Sequence, residues 1–324
     1  MVLQQLRTPV RTEPAEDYGF FGPDSVTWKV WSYPTSLTVG FIRAVVVEEL
    51  DPALVAAVDK THDIYRRPQT RYDRTLHYFA LVAFGDSRTT SKAADVLVKV
   101  HSKAIGNDPY SGKPYDANDP ASQLWIHLTA WHSILYAYET YGPGPLSEAE
   151  ERQYWAECAV AAELQTCDPA DVPTSREEVR EYFARVRPTL ALTERARTGM
   201  HYLLRTRGRG LRLRLGSELT APATIATLPA WMREVGGFDQ PAIVDAAYPL
   251  AVRLAVRAAA AQHAAGTVRL GRLIAPGGPL ERLVTPGGVR RADMGVSGGE
   301  ITLIAEEITA EITADGTELN ARGL

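Results

Sequence analysis

Two short stretches carry side chains whose types and spacing suit chemistry. In "RYDRT", residues 71–75, Arg71 and Thr75 stand four apart, with Arg74 beside the threonine. On a helix that spacing puts a guanidinium and a hydroxyl on one face. Such a pair can hydrogen-bond an anionic or oxygen ligand, or a porphyrin propionate. The plainer reading has Arg71 capping a loop or pairing with Asp63 or Asp73. In "KVHSKAIG", residues 99–106, His101 falls on a helical face with Leu97 and Ala94 before it and Ile105 after it. Small and branched neighbours leave room beside an imidazole. Either His101 is a core histidine bonded to a backbone carbonyl, or it is a ligand. A haem ligand needs this setting: a neutral imidazole, rigidly held, facing an apolar slot between helices. Helix bundles build cofactor sites in that way.

A second group of candidates lies on "ASQLWIHLTAWHSILYAYETYG", residues 121–142. His127 shares a helical face with Leu124, Trp131 and Tyr138, so His127 and Trp131 either line a pocket or pack in a core. His132 is five residues on, about 140° around the helix. That separation rules out the one-ion chelation of an HExxH pair. Glu157 reads as a buried acceptor for one of these histidines or as a surface carboxylate. There is no GxSxG elbow, P-loop, GxGxxG or HExxH, and "GNDPYSG" lacks the spaced acids of a calcium loop. Acyl transfer, phosphoryl transfer and nicotinamide chemistry all lose support.

The elements that must position these residues are helical. Ser36 is a possible cap for residues 36–50, and Asp51 caps a helix opened by Pro52. Further helices are expected from about Asp73 to Phe84, stopped by Gly85-Asp86, and from about Ser91 to Ile105 with Gly106 as C-cap. Residues 106–120 read as a turn-rich loop. The nearly all-round apolar helix beyond it must be buried. Ser147 with Glu150, and Ser175 with Glu178, are capping-box signatures. The seven arginines in 195–215 read as solvated surface, with a short strand in "GRGLRLRLG" as the alternative. The expected fold is mostly α: a single large multi-helix, bundle-like domain over residues 18–273. Residues 1–17 read as a flexible arm. Residues 274–324 read as a C-terminal tail, irregular or with a little β.

Composition agrees with a globular chain. Its 324 residues are 45% hydrophobic and 23% charged, with a net charge of −4. No basic field points to nucleic acid. Cys158 and Cys167 have no CxxC spacing and suit a reducing compartment. No stretch approaches the ~18 apolar residues of a membrane span. The first residues lack a signal-peptide pattern, so a cytoplasmic location is the default expectation.

The ordered set "FFGPDSVTWKV", "GFIRAVVVEELDPALVAAV", "RRPQTRYDRTLHYFALVAFGD", "VHSKAIG", the long segment from "YDANDP" to "YWAE", and "VPTSREEVREYF" resembles one family. It is the MpaB-type oxygenase family, which shares its catalytic domain with latex clearing protein, the rubber oxygenase. "LPAWMREVGGF" is a weaker late match, and the resemblance covers roughly residues 18–255. It implies an all-helical fold holding b-type haem, with His101 as the iron's axial ligand and Arg71 and Thr75 as a distal pair. It also implies a dioxygen-dependent reaction on an apolar substrate, with Leu97, His127 and Trp131 near the haem. Two positions depart from the pattern. Arg74 stands where latex clearing protein has a distal lysine, and arginine, always protonated, is a poor iron ligand. Asp51 stands where many relatives have the histidine of Leu-His-Pro. A haem-binding protein without oxygenase activity, and an all-α binding protein without haem, are the alternatives.

Overall fold

The computed structural model describes residues 17–61, 68–205, 211–238 and 240–261; within them, the side chains of 59–61, 68–73, 211–216, 219 and 257–261 are not described. The expected terminal arm and tail therefore lie almost wholly outside the described residues. Those described form twelve α-helices and one two-stranded sheet. In order they are α1 (Val26–Trp31), α2 (Phe41–Glu48), α3 (Pro52–Thr61), α4 (Pro68–Phe84) and α5 (Ser87–His101). Strands β1 (Ile105–Asn107) and β2 (Pro114–Asp116) follow, then α6 (Pro120–Tyr141), α7 (Glu148–Ala162) and α8 (Arg176–Val186). The chain continues through α9 (Glu194–Leu204), α10 (Leu211–Thr227), α11 (Ala230–Gly236) and α12 (Ala242–Ala261). The mostly helical expectation holds, and none of these helices is long and apolar enough to cross a membrane.

α6 is the axis of the molecule. Asp119 caps it through the Ser122 amide, and Pro120 fills its first turn, where a missing N–H costs nothing. Apolar residues all around the helix then require neighbours all around it. α2 and the π-turn Ser36–Gly40 press on one side and α1 and α7 on others. A side chain at Gly40 would meet the Ile134 Cα at 2.8 Å, so only glycine permits this approach. Trp31, Trp131 and Tyr154 stack edge-on or tilted, with centroids 5.0–5.1 Å apart, in the centre of the core. Arg43 crosses that core from α2, donating to Ser133 Oγ at 2.6 Å and lying 5.0 Å over the Tyr136 ring. Burial holds its pKa down to about 10.

Several caps follow the sequence. Ser147 and Glu150 form the complete capping box of α7. Ser175 accepts from the Glu178 amide at the start of α8. Asp51 Oδ1 accepts from the amides of Ala53 and Leu54 at 2.8 and 3.2 Å, capping α3. Other expectations fail. Ser36 caps nothing, because the chain enters α2 through a π-turn preceded by Thr35. α5 starts at Ser87, since Asp86, read as part of a stop, is its N-cap and accepts from the Thr89 amide. It ends at His101, four residues before the expected Ile105. Ile105 instead begins β1 and is 51% exposed, so it is not part of His101's apolar face. Gly106 is no C-cap; it pairs with Tyr115, whose hydroxyl would lie 2.7 Å from an added Cβ. The turn-rich loop thus contains a short antiparallel hairpin. The segment from Leu211 is helical rather than extended.

Candidate functional site

α4, α5 and the first turns of α6 enclose a cavity of about 250 Å³, near the lower bound of small-molecule pockets. α5 contributes Ala93, Val96, Leu97, Val100 and His101, and α4 contributes Arg74, Thr75, His77, Tyr78, Phe79 and Leu81. Leu54 and Val58 of α3, Gln123 and Ile126 of α6, Glu48 at the end of α2, and Gln165 complete the wall. The lining is mainly aliphatic and aromatic, with one arginine, one carboxylate and two imidazoles.

His101 is the last residue of α5, so its position depends on how that helix ends. Orphan carbonyls there need donors. Asn118 Nδ2 reaches back to the Val98 carbonyl at 2.9 Å, and the Ala117 amide donates to the Ala104 carbonyl at 3.1 Å. The β1–β2 hairpin is the loop that brings Ala117 and Asn118 back. His101 Nδ1 lies 3.4 Å from Gln123 Nε2, whose amide also donates to the Ala117 carbonyl at 2.5 Å. At the other end of α5, Thr90 Oγ1 donates to the Leu81 carbonyl at 2.9 Å and fixes α5 against α4. Tyr78 is fixed too, donating to the Leu164 carbonyl at 3.1 Å, and burial pushes its phenol well above its usual range.

Four of the sequence's candidates, Arg74, Thr75, Leu97 and His101, therefore line one cavity. Arg71 lies on α4 one turn before Thr75, and its side chain is outside the described residues. His127 and Trp131 are not among the lining residues. His127 is 1% exposed, with Nε2 donating to the Cys158 carbonyl at 2.8 Å and the ring tilted against Trp131. Burial brings its pKa down to about 4, so it is a neutral core imidazole. Trp131 is fully buried among aromatics. Glu157 serves neither histidine; it accepts from the Thr27 amide and hydroxyl at 2.7 and 2.6 Å, capping α1 from outside. His132 faces a second cavity with Tyr136, Trp155, Arg176 and Phe183, and burial with nearby Arg43 and Arg176 brings its pKa down to about 3.

Sequence reading missed Glu48, Gln123 and Gln165. Glu48 is a buried carboxylate at the cavity wall. Gln123 is 3% exposed, an unusual fate for an amide in the first turns of a helix. That burial was the one available signal, since the residues after it are apolar on every face.

The donor set bears on which ligand fits. Among the described residues, no three His, Cys, Asp or Glu side chains gather as a metal site. An iron that arrives with four porphyrin nitrogens needs one imidazole from the protein, and an apolar slot beside it. His101 with Leu97, Val96, Val100 and Ile126 meets that requirement, and Arg74 and Thr75 add donors for oxygen atoms.

A family model described as "ER-bound oxygenase mpaB/B'/Rubber oxygenase, catalytic domain" matches residues 28–270. No curated protein and no solved structure matches the chain.

Proposed function

The chain belongs to the mpaB/rubber oxygenase catalytic-domain family, and on that premise we propose that it is a haem b-dependent oxygenase acting with dioxygen on an apolar small molecule. The observation that carries the proposal is the convergence of His101, Leu97, Arg74 and Thr75 on one cavity. These residues come from two helices; type and spacing marked them as candidates, and the family resemblance assigned their roles. Haem, when bound, supplies the dioxygen chemistry.

The chain's own residues supply the rest. His101 would hold the haem iron through an imidazole nitrogen. Leu97, Val96, Val100 and Ile126 keep water away from that nitrogen and leave an apolar surface for substrate. The Arg74 guanidinium and the Thr75 hydroxyl donate hydrogen bonds to an oxygen ligand or to a propionate. Arg71, one turn earlier on α4, is the position that the family resemblance gives to the distal arginine. Glu48 is the one carboxylate among the described lining residues, and so the group there best suited to hold or release a proton. The Asp51 departure does not touch this chemistry, because Asp51 caps α3 through two backbone amides. A cytoplasmic setting is part of the proposal, supported by two free, buried cysteines.

The test is dioxygen uptake by the haem-loaded protein with a panel of lipophilic alkenes and terpenes. Uptake that depends on substrate, and falls at least about tenfold in Thr75→Val and Arg74→Met, is expected if these donors serve the reaction. A protein that is fully haem-loaded yet consumes no dioxygen with any member of the panel overturns the oxygenase reading.

A further inference from the structure

We propose that Gln123 governs which nitrogen of His101 is available to a ligand, and is therefore a positioning residue for the imidazole. The inference rests on the haem reading above and deepens it.

The geometry fixes the sense of each hydrogen bond. The Ala117 carbonyl can only accept, so the group 2.5 Å from it must be the amide nitrogen of Gln123, not its oxygen. That nitrogen carries two hydrogens. One goes to Ala117, and the other is directed at His101 Nδ1, 3.4 Å away. Nδ1 must then accept, which places the proton of the neutral ring on Nε2. If Nδ1 carried the proton, two donors would face each other inside a wall where Gln123 is 3% exposed.

An iron bound at Nε2 demands the opposite tautomer. Nε2 must give its lone pair to the metal, so it releases its proton to solvent while Nδ1 takes one up; the ring stays neutral. Nδ1–H then needs an acceptor. Gln123 supplies it by turning its amide, so that Oε1 accepts from Nδ1 and the bond to Ala117 is given up. Loading is thus coupled to an amide flip, and in the loaded state Gln123 is a neutral acceptor behind the ligand. Acceptors at that place raise the basicity of the ligating nitrogen and favour the ferric state. Their strength runs from none to neutral to charged, as leucine, glutamine and glutamate would provide.

The test compares wild type, Gln123→Leu and Gln123→Glu, all reconstituted with haem. Two quantities are read: the ferric/ferrous midpoint potential, and the iron–histidine stretch of the ferrous form by resonance Raman. The expected order of potentials is Q123L above wild type above Q123E. Q123E should favour the ferric state about tenfold, which is 59 mV for one electron. The stretch should rise in the reverse order. Circular dichroism checks folding, and Gln123→Met, which keeps the chain length without the amide, replaces Q123L if that variant fails to fold. Equal potentials and an unchanged stretch across folded variants overturn the role of Gln123 alone. A wild-type protein that takes up no haem overturns the haem reading, and this inference with it.

Discussion

His101 lies beside α6 and His127 lies on it, and they differ in almost everything else. His101 closes α5 at the rim of a cavity, half-buried, with a glutamine amide beside one ring nitrogen. His127 sits in the middle of α6, 1% exposed, donating to the Cys158 carbonyl and walled by Trp131. One imidazole is placed where another molecule can reach it. The other is used up by the fold. A histidine's function depends less on how apolar its neighbours are than on whether they leave space. His101 shares a cavity wall with aliphatic side chains, whereas His127 is held between Trp131 and the Cys158 carbonyl.

Substitutions can break or sharpen this contrast. The largest effect is expected in the aromatic core: Trp131→Ala should cost about 3–5 kcal/mol of stability in chemical denaturation, as a large buried ring leaves a void. It should leave the visible spectrum of the haem-loaded, still-folded fraction unchanged. His101→Ala should do the reverse. It should weaken haem binding more than about 100-fold in a haem-transfer titration, since losing a ligand exceeds losing its outer partner, while the melting temperature moves little. A Trp131→Ala protein with an altered Soret band would mean that the two regions are one site.

A third test uses pH. The ordinary histidine pKa is 6.5, and in the folded protein that of His127 is brought down to about 4 by burial. Between these values the unfolded chain binds a proton that the folded chain refuses. Stability attributable to His127 is therefore whole above pH 6.5 and is lost as pH falls towards 4, by ~1.4 kcal/mol per pH unit. His132, brought down to about 3 by burial and by nearby Arg43 and Arg176, adds to the same trend. Denaturation midpoints measured from pH 7 to pH 4.5 should fall steeply, and His127→Gln should flatten the slope. The smallest effect belongs to Asp51. Asp51→Ala should cost about 1 kcal/mol through loss of the α3 cap, with haem binding untouched. An altered spectrum in Asp51→Ala would show that this departure from the family pattern bears on the site after all.

Much of the helical frame was legible because its signals are local. The Ser147–Glu150 box, the Asp51–Pro52 start and the all-round apolar α6 depend on neighbours a few residues away. The face shared by Leu97 and His101 was legible for the same reason. Asp86 was misread because an aspartate after glycine serves equally well as a stop or a start, and only the chain direction beyond it decides. The hairpin escaped because each strand is three residues long, too short for alternation to register. The cavity's other polar groups were hidden by distance in sequence: Gln123 is 22 residues from His101, and Glu48 reaches the wall from α2. The same limit blurred His127 and Trp131, whose spacing places them on one face without saying whether that face meets a cavity or a packed core.

The account stands or falls on His101. The direct measurement is the absorption spectrum of the purified protein reconstituted with haem, oxidised and then reduced with dithionite, beside His101→Ala treated identically. A Soret band at one haem per chain that shifts on reduction, and that is lost in the variant while its helical signal persists, is the expected result. A variant with the wild-type spectrum, or a wild-type protein with no visible band after reconstitution, would contradict the account and return His101 to the role that His127 already fills.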